Sequence, residues 1–95
     1  MARARRGARP VVVVLPDALT RLFADAETRL ELRASTLGDV VSELDRRWPG
    51  MRDRLCDSSP RVRRHINVFV RARRIGLESE LHAGDVVTIM TGVIG

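Results

Sequence analysis

The chain has 95 residues and a formal net charge of +5 at pH 7, and all seventeen of its cationic side chains are arginines. A chain of this length forms one domain with one modest core, which must be aliphatic because the sequence has two phenylalanines, one tryptophan and no tyrosine. The sequence has no apolar stretch near the about 20 residues of a membrane span, and no signal-peptide segment follows its charged start, so a soluble, cytoplasmic protein is expected.

The first ten residues carry five positive charges, on the amino terminus and on Arg3, Arg5, Arg6 and Arg9. In the rest of the chain, thirteen arginines oppose twelve acidic residues, so the body is almost neutral. A basic arm can bind the phosphates of nucleic acid, but no aromatic side chains stand between these arginines to stack on bases. Residues 1–10 are therefore expected to form a disordered basic arm, and nucleic-acid binding is not expected.

A β-hairpin is predicted after the arm. Val11–Leu15 is a β-branched run typical of a strand, and a short helical turn is expected within residues 16–27. Leu30 and Leu32 then alternate with charged residues, which indicates a second strand with one buried face.

One main helix is predicted after the hairpin. Thr36 and Asp39 have the spacing of a capping box, and Pro49 and Gly50 end the helix. The apolar positions between them recur at helical spacing and predict one buried face. These positions are Leu37, Val40, Val41, Leu44 and Trp48.

Three further strands complete the predicted domain. Ile66, Val68 and Val70 alternate in a third strand, a short fourth strand turns back, and a Gly84-Asp85 turn leads into Val86–Met90. The last strand can pair with the first only in parallel, at the centre of the sheet. The order predicts an α+β fold of the β-grasp (ubiquitin-like) type: a mixed four- to five-stranded sheet packed on one main helix. It spans residues 11–90, and residues 91–95 form a flexible tail.

Side chains with catalytic or metal-binding chemistry are sparse. His65 and His82 form no metal-ligand pair, and the single cysteine, Cys56, completes no set. We interpret both histidines as solvated and Cys56 as a free thiol at a helix end or in a loop. No nucleophile–base arrangement is present, so the sequence argues against an autonomous enzyme.

The chain ends in Thr91-Gly92-Val93-Ile94-Gly95, directly after a strand. A tail without bulky polar side chains can enter a narrow channel. Gly95 has no Cβ, so its carboxylate could approach the α-phosphate of ATP closely.

Three segments carry a family resemblance: "STLGDVVSELDRRWPGMRDRL" for the helix and its Pro-Gly stop, "HINVFV" for the third strand, and "LHAGDVVTIM" for the final turn and strand. Over about residues 11–95 the chain resembles the ThiS/MoaD-type sulfur carriers. It is most similar to the carriers of actinobacterial cysteine biosynthesis, which have a loop comparable to the Asp-Ser-Ser-Pro segment at residues 57–60, before the central strand.

The resemblance implies a protein cosubstrate and not an enzyme. Gly95 would carry sulfur as a thiocarboxylate, after an adenylyltransferase similar to ubiquitin-activating enzymes has activated its carboxylate with ATP. Gly92, Val93 and Ile94 would be threaded into that partner, and an exposed apolar patch that includes Phe69 would dock it. A sulfur-accepting synthase would be the second partner, and no cofactor or metal would be bound. The resemblance leaves open whether the pathway makes a cofactor, cysteine or a specialised metabolite.

Two features differ from the family pattern. The family usually ends in Gly-Gly, whereas Ile94 precedes Gly95 here, and Arg71 stands where Asn often follows the third strand. Two alternatives stay open: a non-enzymatic β-grasp binding module of the TGS kind, which binds RNA or a protein, and a degenerate carrier that keeps only the docking surface. The basic arm and the missing Gly-Gly favour the binding module, and the nearly neutral body opposes it. Phe69 could equally belong to the core.

Overall fold

The computed structural model describes residues 7–57 and 61–92, in which a five-stranded sheet packs against one main helix. The elements are β1 (Arg9–Val14), α1 (Asp17–Thr20), β2 (Arg29–Ala34), α2 (Leu37–Arg47), α3 (Met51–Leu55), β3 (Ile66–Val70), β4 (Arg73–Arg74) and β5 (Val86–Thr91). The strand order is β2-β1-β5-β3-β4. The predicted α+β fold of the β-grasp type is confirmed.

The centre of the sheet is the parallel pair β1 and β5. Val13 lies opposite Val87 in this pair, and both side chains are fully buried. The β1–β2, β3–β4 and β3–β5 pairs are antiparallel. A β-branched run at the start of the chain and an aliphatic strand at its end thus meet in the middle of the core, as the element order predicted.

Helix α2 covers one face of the sheet. Its N-terminus is closed by the predicted capping box: Thr36 Oγ1 accepts from the Asp39 N–H at 3.3 Å, and Asp39 Oδ2 accepts from the Thr36 N–H at 3.2 Å. The predicted apolar face packs against the inward side chains of β1, β2 and β5, whereas Trp48 is half-buried at the C-terminal cap. Its fully buried members are Leu37, Val40, Val41 and Leu44.

Two strands extend further than the sequence pattern indicates. β1 begins at Arg9, inside the predicted arm, because Arg9 and Pro10 pair with the end of β2. β5 runs through Thr91, inside the predicted tail, because Thr91 pairs with Ile66. Leu15 lies beyond the end of β1 and is nevertheless buried. Where a strand ends depends on how far the neighbouring strand pairs with it, and the residue pattern of one segment does not contain that information.

The short turn between β3 and β4 places Arg71 and Ala72 at φ values of 52° and 63°. Two successive residues with positive φ are typical of a type I′ hairpin turn, in which Asn and Gly are the favoured residues. The chain therefore keeps a tight turn at this point, although Arg71 stands where the family often has Asn. No helix in the described ranges has the length and apolar character needed to cross a membrane.

Candidate functional site

The C-terminal segment leaves the sheet from β5, its central strand. The Gly92 N–H donates to the His65 carbonyl oxygen at 3.0 Å, directly after the pairing of Thr91 with Ile66. Gly92 has a φ of 148°, which favours glycine. The structure thus ties Gly92 to the domain through its amide. The predicted Val93, Ile94 and Gly95 lie outside the described residues.

The sheet surface opposite α2 is here called the open face. Across it, Val14, Thr88 and Phe69 stand side by side in register. Arg29 pairs with Val14 at one end of this row and Arg74 pairs with Phe69 at the other, so two guanidinium groups border the row. The open face is formed by Val12, Val14, Asn67, Phe69, Val86, Thr88 and Met90.

Two large apolar side chains on the open face remain accessible to solvent. Met90 is 50% exposed and Val86 is 41% exposed, and both belong to β5. Exposed apolar side chains on one sheet surface, bordered by charged residues, are typical of protein-binding surfaces. The open face is therefore suited to dock a protein at the strand from which the C-terminal segment leaves.

Phe69 lies on the open face. It alternates along β3 with Val68 and Val70, whose side chains are buried against the helix side of the sheet. Phe69 itself is half-buried, with Thr88 as its neighbour across the β3–β5 pair. Of the two interpretations of Phe69, the structure favours the surface position over the core.

Sequence reasoning missed Asn67. It stands between Ile66 and Val68 in β3, faces the open side, and is only 5% exposed. One feature of the sequence could have drawn attention to Asn67: it is an amide inside the apolar run "INVFV". Strand alternation assigns its position to the face away from the core. In the β3–β5 register it lies directly opposite Met90.

The remaining candidate side chains are not gathered into a site. His65 and His82 are exposed, as expected for solvated histidines. Cys56 caps the end of α3 and is buried, and this desolvation raises the pKa of its thiol, although the charge of Arg52 opposes the shift. No group of three or more His, Cys, Asp or Glu side chains in residues 7–57 and 61–92 could hold a metal ion.

The parallel pairing of the first and last strands, one covering helix and a C-terminal segment that leaves from the sheet centre define a ubiquitin-like β-grasp protein. Among proteins of known function, the chain is 33% identical over 91 residues to the sulfur carrier protein CysO of Mycobacterium tuberculosis and of Mycobacterium bovis. These alignments cover 90% of this chain and 97% of each relative. The chain belongs to the CysO family of ThiS/MoaD-type sulfur carrier proteins. No family model matches it.

Solved structures agree with this assignment. The chain is 30% identical to a chain of the Amycolatopsis orientalis BexX/CysO complex, with a TM-score of 0.78 and coverage of 90% of this chain and 98% of that one. It is also 30% identical to Mycobacterium tuberculosis CysO, with a TM-score of 0.77 and coverage of 87% and 99%. Small archaeal modifier protein SAMP1 of Haloferax volcanii, at 20% identity over 90% of this chain and 98% of that chain, shares the fold with a TM-score of 0.74.

Proposed function

We propose that this protein carries sulfur as a thiocarboxylate on Gly95. The observation that supports the proposal most strongly is its family relationship, which extends over 97% of the CysO sulfur carrier. The chemistry needs one carboxylate on a segment that a partner can enclose. Gly95 lies three residues after Gly92, and the Gly92 N–H donates a hydrogen bond to the His65 carbonyl oxygen, which holds the base of the segment at the end of β5.

The proposed reaction has two steps. In the first, a carboxylate oxygen of Gly95 attacks the α-phosphorus of ATP, pyrophosphate leaves, and the carboxyl group becomes an acyl adenylate. In the second, sulfide attacks the acyl carbon and AMP leaves, so that a sulfur atom replaces one carboxylate oxygen. The partner provides the catalytic groups, and this protein is the cosubstrate that is modified.

Docking of the adenylyltransferase is assigned to the open face. Its apolar side chains include Phe69, Val86 and Met90, of which the last two lie on β5 itself. A partner seated there is within a few residues of Gly92 and can enclose the segment from Gly92 to Ile94. The same face would dock a sulfur-accepting synthase after the first partner has dissociated. For the related CysO of Amycolatopsis orientalis, a complex with BexX is known.

The test is intact-protein mass spectrometry. The protein is incubated with ATP, sulfide and its matched adenylyltransferase, and a gain of about 16 Da is expected from replacement of one acyl oxygen by sulfur. Deletion of Gly95 should abolish the gain and leave the melting temperature unchanged, because the residue follows the last strand. Omission of ATP is the matched control for non-enzymatic reaction with sulfide.

Ile94 supports one alternative, a degenerate carrier that keeps the docking surface and is not activated. A β-branched side chain next to Gly95 stands where the family pattern has a second glycine. In the mass experiment, a protein that binds the adenylyltransferase and gains no mass, even as the Ile94→Gly variant, would support the degenerate carrier. A protein that does not bind the enzyme at all would support the TGS-like binding module.

A further inference from the structure

Two polar side chains are buried in the described part of the chain, and they differ in their partners. Asp85 is 7% exposed, accepts a hydrogen bond from the His82 N–H at 2.8 Å, and lies 3.4 Å from Arg71. Asn67 is 5% exposed, and no described residue forms a hydrogen bond with its side-chain amide. Nearly all buried polar side chains in folded proteins are paired, so Asn67 requires an explanation.

The amide of Asn67 keeps a narrow opening to solvent. Every fully enclosed side-chain nitrogen or oxygen in the described residues has a hydrogen-bond partner, so the amide atoms of Asn67 are not fully enclosed. Because Ile66 and Val68 face the core, Asn67 faces the open side. Met90 stands opposite it and Phe69 is two residues further along the strand. The opening therefore lies inside the apolar part of the open face.

Covering this face removes the remaining solvent from the amide. A protein that packs on Met90 and Phe69 closes the opening, and an amide that is then left without a partner weakens association by about tenfold or more. The loss is avoided only if the covering surface presents a complementary group at that point. A side-chain amide has one accepting oxygen and two donated N–H bonds, and a peptide group offers the matching donor and acceptor.

We propose that Asn67 is the hydrogen-bonding recognition residue of the open face, and that it pairs with a peptide group of the protein that docks there. A purely apolar partner surface is rejected because it would leave the amide unpaired. Only the identity of the partner as an adenylyltransferase depends on the proposed function. Three observations on Asn67 do not depend on the proposed function. They are its low exposure, the identity of its neighbours, and the lack of a hydrogen-bond partner among the described residues.

The first test uses the isolated protein. Asn67→Leu replaces the amide by an apolar side chain of similar size, and the melting temperature is expected to equal or exceed that of the wild type, because no internal hydrogen bond is lost. A decrease of several degrees in the melting temperature of Asn67→Leu would show that the fold itself uses the amide, and would overturn the proposal.

The second test measures binding through ATP–pyrophosphate exchange by the matched adenylyltransferase. For Asn67→Leu, the KM for the carrier should rise by about tenfold or more, with kcat within about twofold of the wild type, because the tail and its carboxylate are unchanged. Arg46→Leu is the control: it adds an apolar side chain at an exposed position of α2, on the side of the sheet opposite the open face, and its KM should not rise.

An unchanged KM for Asn67→Leu, or an equal rise for Arg46→Leu, would overturn the proposal and leave the carrier function intact. A wild-type protein that supports no exchange would instead remove the proposed function. In that case, the melting temperature of Asn67→Leu would still decide whether the amide serves the fold or a partner.

Discussion

The guanidinium of Arg71 lies 3.4 Å from the carboxylate of Asp85, and this ion pair joins the β3–β4 turn to the turn that precedes β5. Asp85 accepts from the His82 N–H through its side chain, and its carbonyl oxygen accepts from the Val12 N–H at 2.9 Å. A single residue therefore connects both turns with β1, at the end of the sheet opposite the departing C-terminal segment.

Substitutions of Asp85 should separate these contributions. Asp85→Asn keeps an acceptor for the His82 N–H and loses the ion pair with half-exposed Arg71, so it should cost about 0.5 kcal/mol. Asp85→Ala loses both interactions and should cost about 1–3 kcal/mol. Urea denaturation measures the two free energies of unfolding, and equal losses for the two variants would contradict the assignment of the hydrogen bond.

Val41→Asp should prevent stable folding. Val41 is 2% exposed and packs between α2 and the sheet, so a carboxylate there would be buried without a partner and would cost several kcal/mol. Thermal unfolding followed by circular dichroism measures the effect. Arg47→Asp, at an exposed position on the same helix, should cost about 1 kcal/mol or less. A cooperatively folded Val41→Asp protein would contradict the observed orientation of α2.

Arg9 should contribute to stability, although it lies within the basic N-terminal segment. Its backbone pairs with Ala34, and its Nη1 donates to the Leu81 carbonyl oxygen at 2.9 Å. Arg9→Ala is expected to cost about 1 kcal/mol, measured by urea denaturation. Arg21→Ala, the loss of an exposed arginine, is the control and should change stability little. If both variants had the same stability, the interaction with Leu81 would contribute nothing.

Cys56 should react slowly with thiol reagents in the folded protein. The side chain is buried, and burial raises the pKa of its thiol, so little thiolate is present or accessible. Because the pKa is higher in the folded state, this group's contribution to stability is complete below the unfolded-state pKa. It is lost as the pH rises through the folded-state value. Labelling with a chromogenic disulfide should accelerate in urea in parallel with unfolding; fast labelling without urea would contradict the burial.

Ile94→Gly should improve activation by an adenylyltransferase whose own carrier ends in Gly-Gly. A misplacement of about 1 Å at the reacting carboxylate can reduce the rate about 100-fold, and a channel shaped for glycine leaves little space for a β-branched side chain. Pyrophosphate exchange with such an enzyme is expected to increase about tenfold or more. Without an increase, Ile94 would not be the residue that restricts entry.

Local patterns were sufficient to predict most of the architecture. Thr36 and Asp39 marked the start of α2, and the alternation of Leu30 and Leu32 identified the buried side of β2, because these signals depend on neighbours within one segment. Asn67 could not be identified in this way. Its burial is a property of the folded sheet, in which the β3–β5 register brings it opposite Met90, a residue distant in sequence.

The position of β5 has a mechanical consequence. A partner that draws the C-terminal segment inward applies tension along β5, which is bonded to β1 on one side and β3 on the other. The hydrogen bonds of both ladders lie across the direction of that tension, so they must slide together and cannot open one at a time. A segment leaving from β2 or β4, at the edges, would be held by one ladder and not by two. Leaving from the centre, the segment can be pulled taut while the domain keeps its shape.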